Sequence, residues 1–330
     1  MRAYVIRRLL LIIPTLGLVT IIVFLLVRFI PGDVIDMMMA QMQEQSGMGA
    51  ELTEEYLREV MGLDQPLLVQ YGRWLGVWPQ QTGEISGIFQ GDLGDSLWKS
   101  EPIIEEIVQR LPVSLELGII ALSIGMLIAI PIGVYSAIRQ DTWGDYMGRT
   151  VAILAISLPS FWIGTMVIVY PSIWWGWTPS LEYIPIVEDF GANFIQFIIP
   201  GVIMGMVTSG TVMRMTRTMM LEVLRQDYIR TAWSKGLKER TIIVRHAMKN
   251  ALIPVVTIWG MMLPFLISGT VITEQIFCLP GIGRLMFEAL NQRDYPIISG
   301  INLVLATVVL LTNLFVDLLY AWLDPRVQYQ

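Results

Sequence analysis

Apolar residues in this chain fall into long unbroken runs, not the short alternating stretches of a soluble core. The first, Leu9 to Ile30, is about 22 residues, enough to cross a hydrocarbon layer of ~30 Å as a helix. Five more runs follow at roughly 113–138, 149–171, 193–213, 252–273 and 297–323. Each reaches the ~17–20 residues a span requires. The pattern predicts an all-α polytopic membrane protein with six transmembrane helices. Pro131, Pro159, Pro200, Pro254 and Pro264 fall in or beside these runs. Proline removes a helical N–H, a loss tolerated in a membrane where neighbours satisfy the freed groups; such positions often mark bends beside a pathway, and packing alone accounts for many of them. The basic flank MRAYVIRR precedes the first run, which is too long for the apolar region of a cleaved signal and lacks a small-x-small site. A retained first span is expected, with Arg28 near enough to its outer end to snorkel.

The polar segments set an orientation. The segment 214–251 holds Arg214, Arg217, Arg225, Arg230, Lys235, Lys238, Arg240, Arg245 and Lys249. Loop two adds Arg139 and Arg149, whereas loop one (Pro31 to Arg110) is acidic and loop three (Pro171 to Asn193) has no Lys or Arg. Excess Lys and Arg marks cytoplasmic loops, so loops two and four and both termini are expected inside. In loop three, Trp174, Trp175 and Trp177 read as an interfacial belt. The expected organisation is a flank and first span (1–30), an external loop (31–110) and a five-span core (111–330). In the external loop a helix is expected with Thr53 as its cap and Leu57, Val60 and Met61 on one face, and another at "PIIEEIVQRLP" leading into span two.

Composition removes other classes. The chain is 54% hydrophobic and 15% charged, with mean hydropathy +0.60, too apolar for a soluble domain. A single cysteine, Cys278, and a single histidine, His246, leave no disulfide, multi-cysteine or paired-histidine metal site, and no cofactor is expected. His246 has no Ser or Cys partner at motif spacing and reads as a packing or capping residue. Glu116, Asn302, Asn313 and Asp317 lie in or near spans, but no two acids share the middle of one. That argues against an ion relay and an intramembrane protease. No phosphate-binding loop of the form G-x-x-x-x-G-K-[ST] occurs; "LPGIGR" (Leu279 to Arg284) lacks the Lys-Ser/Thr pair.

The basic segment carries the most local information. Asp227 can cap a helix. Ile229, Ala232 and Trp233 then share an apolar face, and Gly236 fits a left-handed stop with Leu237 as its hydrophobic partner. A second helix resumes near Glu239 and runs to Pro254, with Ile242, Ile243 and Ala247 on one side. Such a surface helix can lie on anionic headgroups or dock a partner protein. Nucleic acid is not needed to explain the charge, since positive-inside bias already does.

"RTAWSKGL" and "RHAMKNALIP" resemble the conserved loop of ABC importer permeases, in the form found in the dipeptide/oligopeptide/nickel branch, first-permease type. Arg230, Thr231, Ala232, Lys235, Gly236 and Leu237 match its first half, and Arg245, His246, Ala247, Asn250, Ala251 and Pro254 its second. Arg230 and Thr231 stand where the general family has Glu and Ala, as is typical of this branch. Similar segments include the first span with its Pro31-Gly32-Asp33 exit, "GDLGDSL", "RLPVSLELG", and the end of the chain from "ITEQIFCLPGIGRLMFEALNQRDYPII" to "VDLLYAWLDPR". Val34 departs from the branch's usual Pro, and 37–50, 77–89 and loop three are least typical.

The resemblance implies an inner-membrane permease subunit that is not an enzyme. Its implied partners are a second homologous permease, two ATP-binding subunits and an external substrate-binding protein, set in membrane lipid. Asp227 to Leu237 would form the ATPase-coupling element, and Arg245, His246, Asn250 and Pro254 the loop-to-span motif. Arg230, Lys235 and Lys238 can pair with acids on the ATPase or stay solvated. Cargo stays open among dipeptides, oligopeptides, nickel complexes, glutathione and sugars. The alternative is an ion- or proton-coupled carrier working without an ATPase.

Overall fold

The structure, a computed structural model, describes residues 2–29, 35, 39, 58, 64–99, 101–180, 182–263 and 269–323. The exit at 31–33, the expected helix around Thr53, Leu57, Val60 and Met61, Pro264 and the final Asp324 to Arg326 lie outside these residues. The helices are α1 (Arg2–Arg28), α2 (Leu67–Leu75), α3 (Ile103–Ile138), α4 (Trp143–Ser157), α5 (Ser160–Trp175), α6 (Phe190–Leu224), α7 (Asp227–Ser234), α8 (Glu239–Met261), α9 (Val271–Ile276), α10 (Ile282–Gln292) and α11 (Tyr295–Leu323). Among the described residues no strand forms beyond one isolated bridge, Asp95 to Pro102.

Five helices are long and apolar enough to cross a membrane, within α1, α3, α6, α8 and α11. The count reaches six when the pair α4 and α5, bent by 93° at their junction, is taken as one span. The all-α, six-span class therefore holds, with a third span built differently from the straight run expected at 149–171. Pro159 causes the break. It forces Leu158 to φ −84°, ψ 127°, the extended region favoured before proline. Pro131, Pro200 and Pro254 sit inside continuous helices instead. The expected helix at "PIIEEIVQRLP" is the first part of α3.

The chain divides into two compact units: Arg2–Gln109 with Leu285–Val308, and Arg110–Arg284 with Val309–Gln330 and Met1. In the first, α2 is fastened to α1. The Thr20 and Tyr71 hydroxyls lie 2.8 Å apart, and the Arg28 guanidinium donates to Gln70 Oε1 at 2.7 and 3.1 Å while lying 3.6 Å over the Phe24 ring. Arg28, expected to snorkel, is held by protein groups. In the same unit Asp294 receives Ser96 Oγ at 2.6 Å, Leu97 N at 3.1 Å and Ile297 N at 3.3 Å. One carboxylate so caps α11 and anchors "GDLGDSL". Burial pushes the Asp294 carboxyl above the usual carboxylate range, against the pull of these donors.

The second unit is organised by α3 and α6, which run side by side in the same direction. α3 has 36 residues and α6 has 35, about 54 and 52 Å at ~1.5 Å per residue, well beyond the hydrocarbon thickness. Their backbones approach at glycines. An added Cβ on Gly205 would sit 2.7 Å from the Ala121 carbonyl oxygen, and one on Gly133 2.8 Å from that of Met213. Close approach through small residues is the usual packing of membrane helices. Three apolar clusters follow this seam, centred on Leu117 with Phe197, on Ala129 with Val212 and Met213, and on Ala137 with Met220. Beside the first, Glu274 of α9 is fully buried. It accepts Ser114 Oγ at 2.6 Å and Arg284 N at 2.9 Å, and Ser114 Oγ in turn accepts Ile282 N at 2.8 Å. "LPGIGR" is thus a turn wrapped on a buried carboxylate, with Gly281 leaving room for it. At the end of α5, Trp174 stacks on Tyr170 at 5.0 Å and both stay exposed.

Gly205→Ala should lower the thermal midpoint of the purified protein, at a cost of about 1–3 kcal/mol for overpacking. Gly17→Ala in α1, where an added Cβ meets nothing within 4 Å, should leave it unchanged or raise it slightly.

Candidate functional site

The segment 214–251, read as a loop, is almost all helix. α6 continues to Leu224, α7 follows after Arg225 and Gln226, and α8 starts at Glu239. The span expected to end near 213 therefore projects three further turns as a polar helical stem, and Arg214 and Arg217 lie on that stem.

Arg217 faces inward. Its Nε and Nη2 donate to Asp145 at 2.9 and 2.8 Å. Ser136 Oγ donates to the same carboxylate, and Asp141 N does so at 3.1 Å. The Asp145 side chain is fully buried and that of Arg217 is 18% exposed. Asp141 takes φ 59°, a left-handed conformation that Asp tolerates better than most residues. This cluster fastens the α3–α4 turn to the stem of α6. A fork of two N–H donors on one carboxylate also fixes their relative orientation.

α7 begins one residue away from the expected cap. Gln226 is the N-cap, without a side-chain cap bond. Asp227 is the first helical residue, 96% exposed and 3.4 Å from Arg230 Nη1. It still favours the helix, as a negative charge in the first turn. Ile229 and Ala232 are buried, at 0% and 7% exposure. They join Val134 and Ala137 of α3, Met220 of α6, and Ile242, Ala247 and Ala251 of α8 in one cluster. Trp233, expected on that face, is 50% exposed. The buried stripe of this eight-residue helix is two residues wide, and the step of about 100° from Ala232 carries Trp233 out of it. Arg230, Thr231 and Lys235 are exposed as well.

Gly236 adopts φ 73° and returns its N–H to Trp233 O at 2.9 Å, the left-handed stop expected from the sequence. Leu237, expected to seal that turn, is 38% exposed. Ile242 fills the space under α7 instead.

The helix after Gly236 contains a π-turn, Ile242–Ala247, with Met248 N bonded to Ile243 O. The buried residues explain it. Ile242 and Ala247 are five apart, about 140° out of phase on an ordinary α-helix. A wider i→i+5 turn brings both to the same side, after which Ala251 and Val255 continue at spacings of four. Ile243 is half-buried. The same shift puts Arg245 and Lys249 outside. His246 is half-buried, and Asn250 Nδ2 donates to the Tyr228 hydroxyl of α7 at 2.8 Å. Tyr228, Arg245, His246, Lys249 and Asn250 line an open hollow of about 400 Å³. Pro254 lies further along α8, away from it.

The structure thus separates the candidate residues. Ala232 joins the apolar cluster; Arg230, Thr231, Lys235, Gly236 and Leu237 form an outer surface; Arg245, His246 and Asn250 share the hollow. Sequence reasoning missed Ser136, Asp145 and Tyr228. Asp145 and Arg217 are far apart in sequence, and no local pattern announces such a pair. The π-turn did leave a signal, in the five-residue step between apolar positions.

Ile229→Ala should destabilise the purified subunit by about 2–4 kcal/mol and speed proteolysis near Arg225. Trp233→Ala should stay within ~0.5 kcal/mol of wild type in the same measurement.

Residues 129–329 match the family model described as "Binding-protein-dependent transport system inner membrane component", and residues 1–118 match the model of its N-terminal region. The dipeptide transport system permease protein DppB of Alkalihalophilus pseudofirmus is 38% identical, with all of both chains covered. DppB of Escherichia coli K12 is 36% identical, again with all of both chains covered. Among solved structures, a chain of the MetNI methionine ABC transporter in an inward-facing form aligns with TM-score 0.54 at 16% identity, covering 68% of this chain and 99% of that one. That similarity extends to the fold alone. A six-span helical chain with this full-length identity belongs to the inner-membrane components of binding-protein-dependent transport systems, the non-enzymatic permease subunits of ABC importers, which work with ATPase and substrate-binding components.

Proposed function

We propose that this permease moves peptides or related small solutes by alternating access, driven by two ATP-binding subunits that push on α7 and its counterpart in a second, homologous permease. The peptide class is supported by the full-length identity to permeases named for dipeptide transport. The carrying observation is the two-sidedness of α7. Ile229 and Ala232 fix it to the ends of α3, α6 and α8, while Arg230, Trp233 and Lys235 face outward. A short helix docked on three long ones passes a displacement to all of them as a rigid body. In this reading the α7 end and both termini are cytoplasmic, because the excess of Lys and Arg lies there. Loop one and the turn held by Glu274 then face the external binding protein.

Gly236 is the sharpest test. No atom lies within 4 Å of an added Cβ, so substitution acts only through the left-handed backbone. Gly236→Val should strain that turn by roughly 1–2 kcal/mol and abolish ATP-dependent uptake of a labelled dipeptide at unchanged membrane abundance. Wild-type uptake by the variant would refute the coupling role. No dipeptide uptake by the wild-type complex would refute the cargo class.

A further inference from the structure

We propose that the hollow between α7 and the start of α8 is a phosphate-binding site, taking the phosphate of an anionic phospholipid headgroup or free inorganic phosphate. The assignment starts from donors that face each other without an acceptor. Arg245 and Lys249 lie four residues apart on one helix face, a mild like-charge repulsion that an anion between them would relieve. No carboxylate lines the hollow. The nearby acid Asp227 is paired with Arg230. The neutral groups complete the set. Tyr228 accepts the Asn250 amide hydrogen at 2.8 Å, which leaves its own hydroxyl hydrogen to donate elsewhere. The His246 ring adds another N–H.

A guanidinium, an ammonium and an imidazole from α8, with a hydroxyl from α7, suit a phosphate, whose several oxygens can accept from all of them. The hollow is open and about 400 Å³ in volume. A headgroup phosphate can therefore enter while its acyl chains run along α8 past Ile253, which is exposed one turn beyond Lys249. The π-turn serves this site too, because it turns Arg245 outward while Ile242 and Ala247 stay buried.

Bound phosphate would bridge Tyr228 of α7 to Arg245 and Lys249 of α8. It would reinforce the apolar docking of α7 from its polar side. This rests on the proposed function only in placing the α7 end of the bundle at a membrane surface.

The test uses the complex purified in mild detergent, with native mass spectrometry counting lipid retained per permease. Wild type should retain phosphatidylglycerol over phosphatidylcholine. Arg245→Gln with Lys249→Gln removes two charge-assisted contacts and should weaken that retention at least tenfold, the loss expected from one of them alone. Tyr228→Phe, which alters no charge, should weaken it less, and serves if the double variant does not fold. Displacement of phosphatidylglycerol by inorganic phosphate would show that both sources use the site. Retention of inorganic phosphate without lipid preference would assign it to the free ion. Equal phosphatidylglycerol and phosphate retention by wild type and both variants would overturn the proposal. So would loss of the ATP-binding subunits from the double variant with lipid unchanged, since the charges would then serve a protein contact. The readout needs no transport, so it fails or succeeds independently of Gly236→Val.

Discussion

The close passage of α3 along α6 is the constraint from which the larger unit is built. In a bilayer there is little hydrophobic force between helices, so association depends on packing at short range. Gly125, Gly133, Gly201 and Gly205 give that range by removing the side chains that would hold the backbones apart. The three apolar clusters along the seam exist because the two helices stay in step over most of their length. Both helices are also longer than a hydrocarbon layer is thick, and their ends form a firm platform. α7 sits on that platform.

Two different kinds of bond hold the platform together. Ile229, Ala232, Ile242 and Ala247 form an apolar contact, tolerant of small rotations. Asp145, Arg217 and Ser136 form a directional polar one, which fixes the α3–α4 turn against the stem of α6. A buried pair of this kind adds little net stability over an apolar substitute, but losing one member is costly. Its contribution here is geometric. It sets how the turn and the stem move together, and in the proposed cycle such a pairing keeps a push on α7 from being absorbed by local bending.

Much of the architecture was legible in the chain. Six apolar runs appear as six crossings, and the left-handed stop at Gly236 was readable because a helix signal, a glycine and a leucine stand in order. The misreadings have common causes. Composition marked the end of span four at the first arginine, yet α6 continues, since a helix ends where its backbone is capped and not where it becomes polar. Proline at five positions left open whether each marks a break or serves packing alone. Among the described ones only Pro159 ends a helix, because a membrane helix can lose one N–H without breaking when its neighbours pack well. Trp233 was assigned inward by hydrophobicity, although an exposed aromatic on a short helix is equally compatible with the pattern.

The sequence by itself determined the class, the number of crossings, the short helix with its glycine stop and the family, because each rests on local composition or on motifs in fixed order. Only the tertiary structure decided what those elements touch. The burial of Asp145 by Arg217, the wrapping of "LPGIGR" on Glu274 and the meeting of Tyr228 with Arg245 and Lys249 all join residues from separate helices. Periodicity reports which face of a helix is apolar. It carries no record of which distant polar group will lie opposite, since that partner is set by the packing of whole helices and by the space their small residues leave.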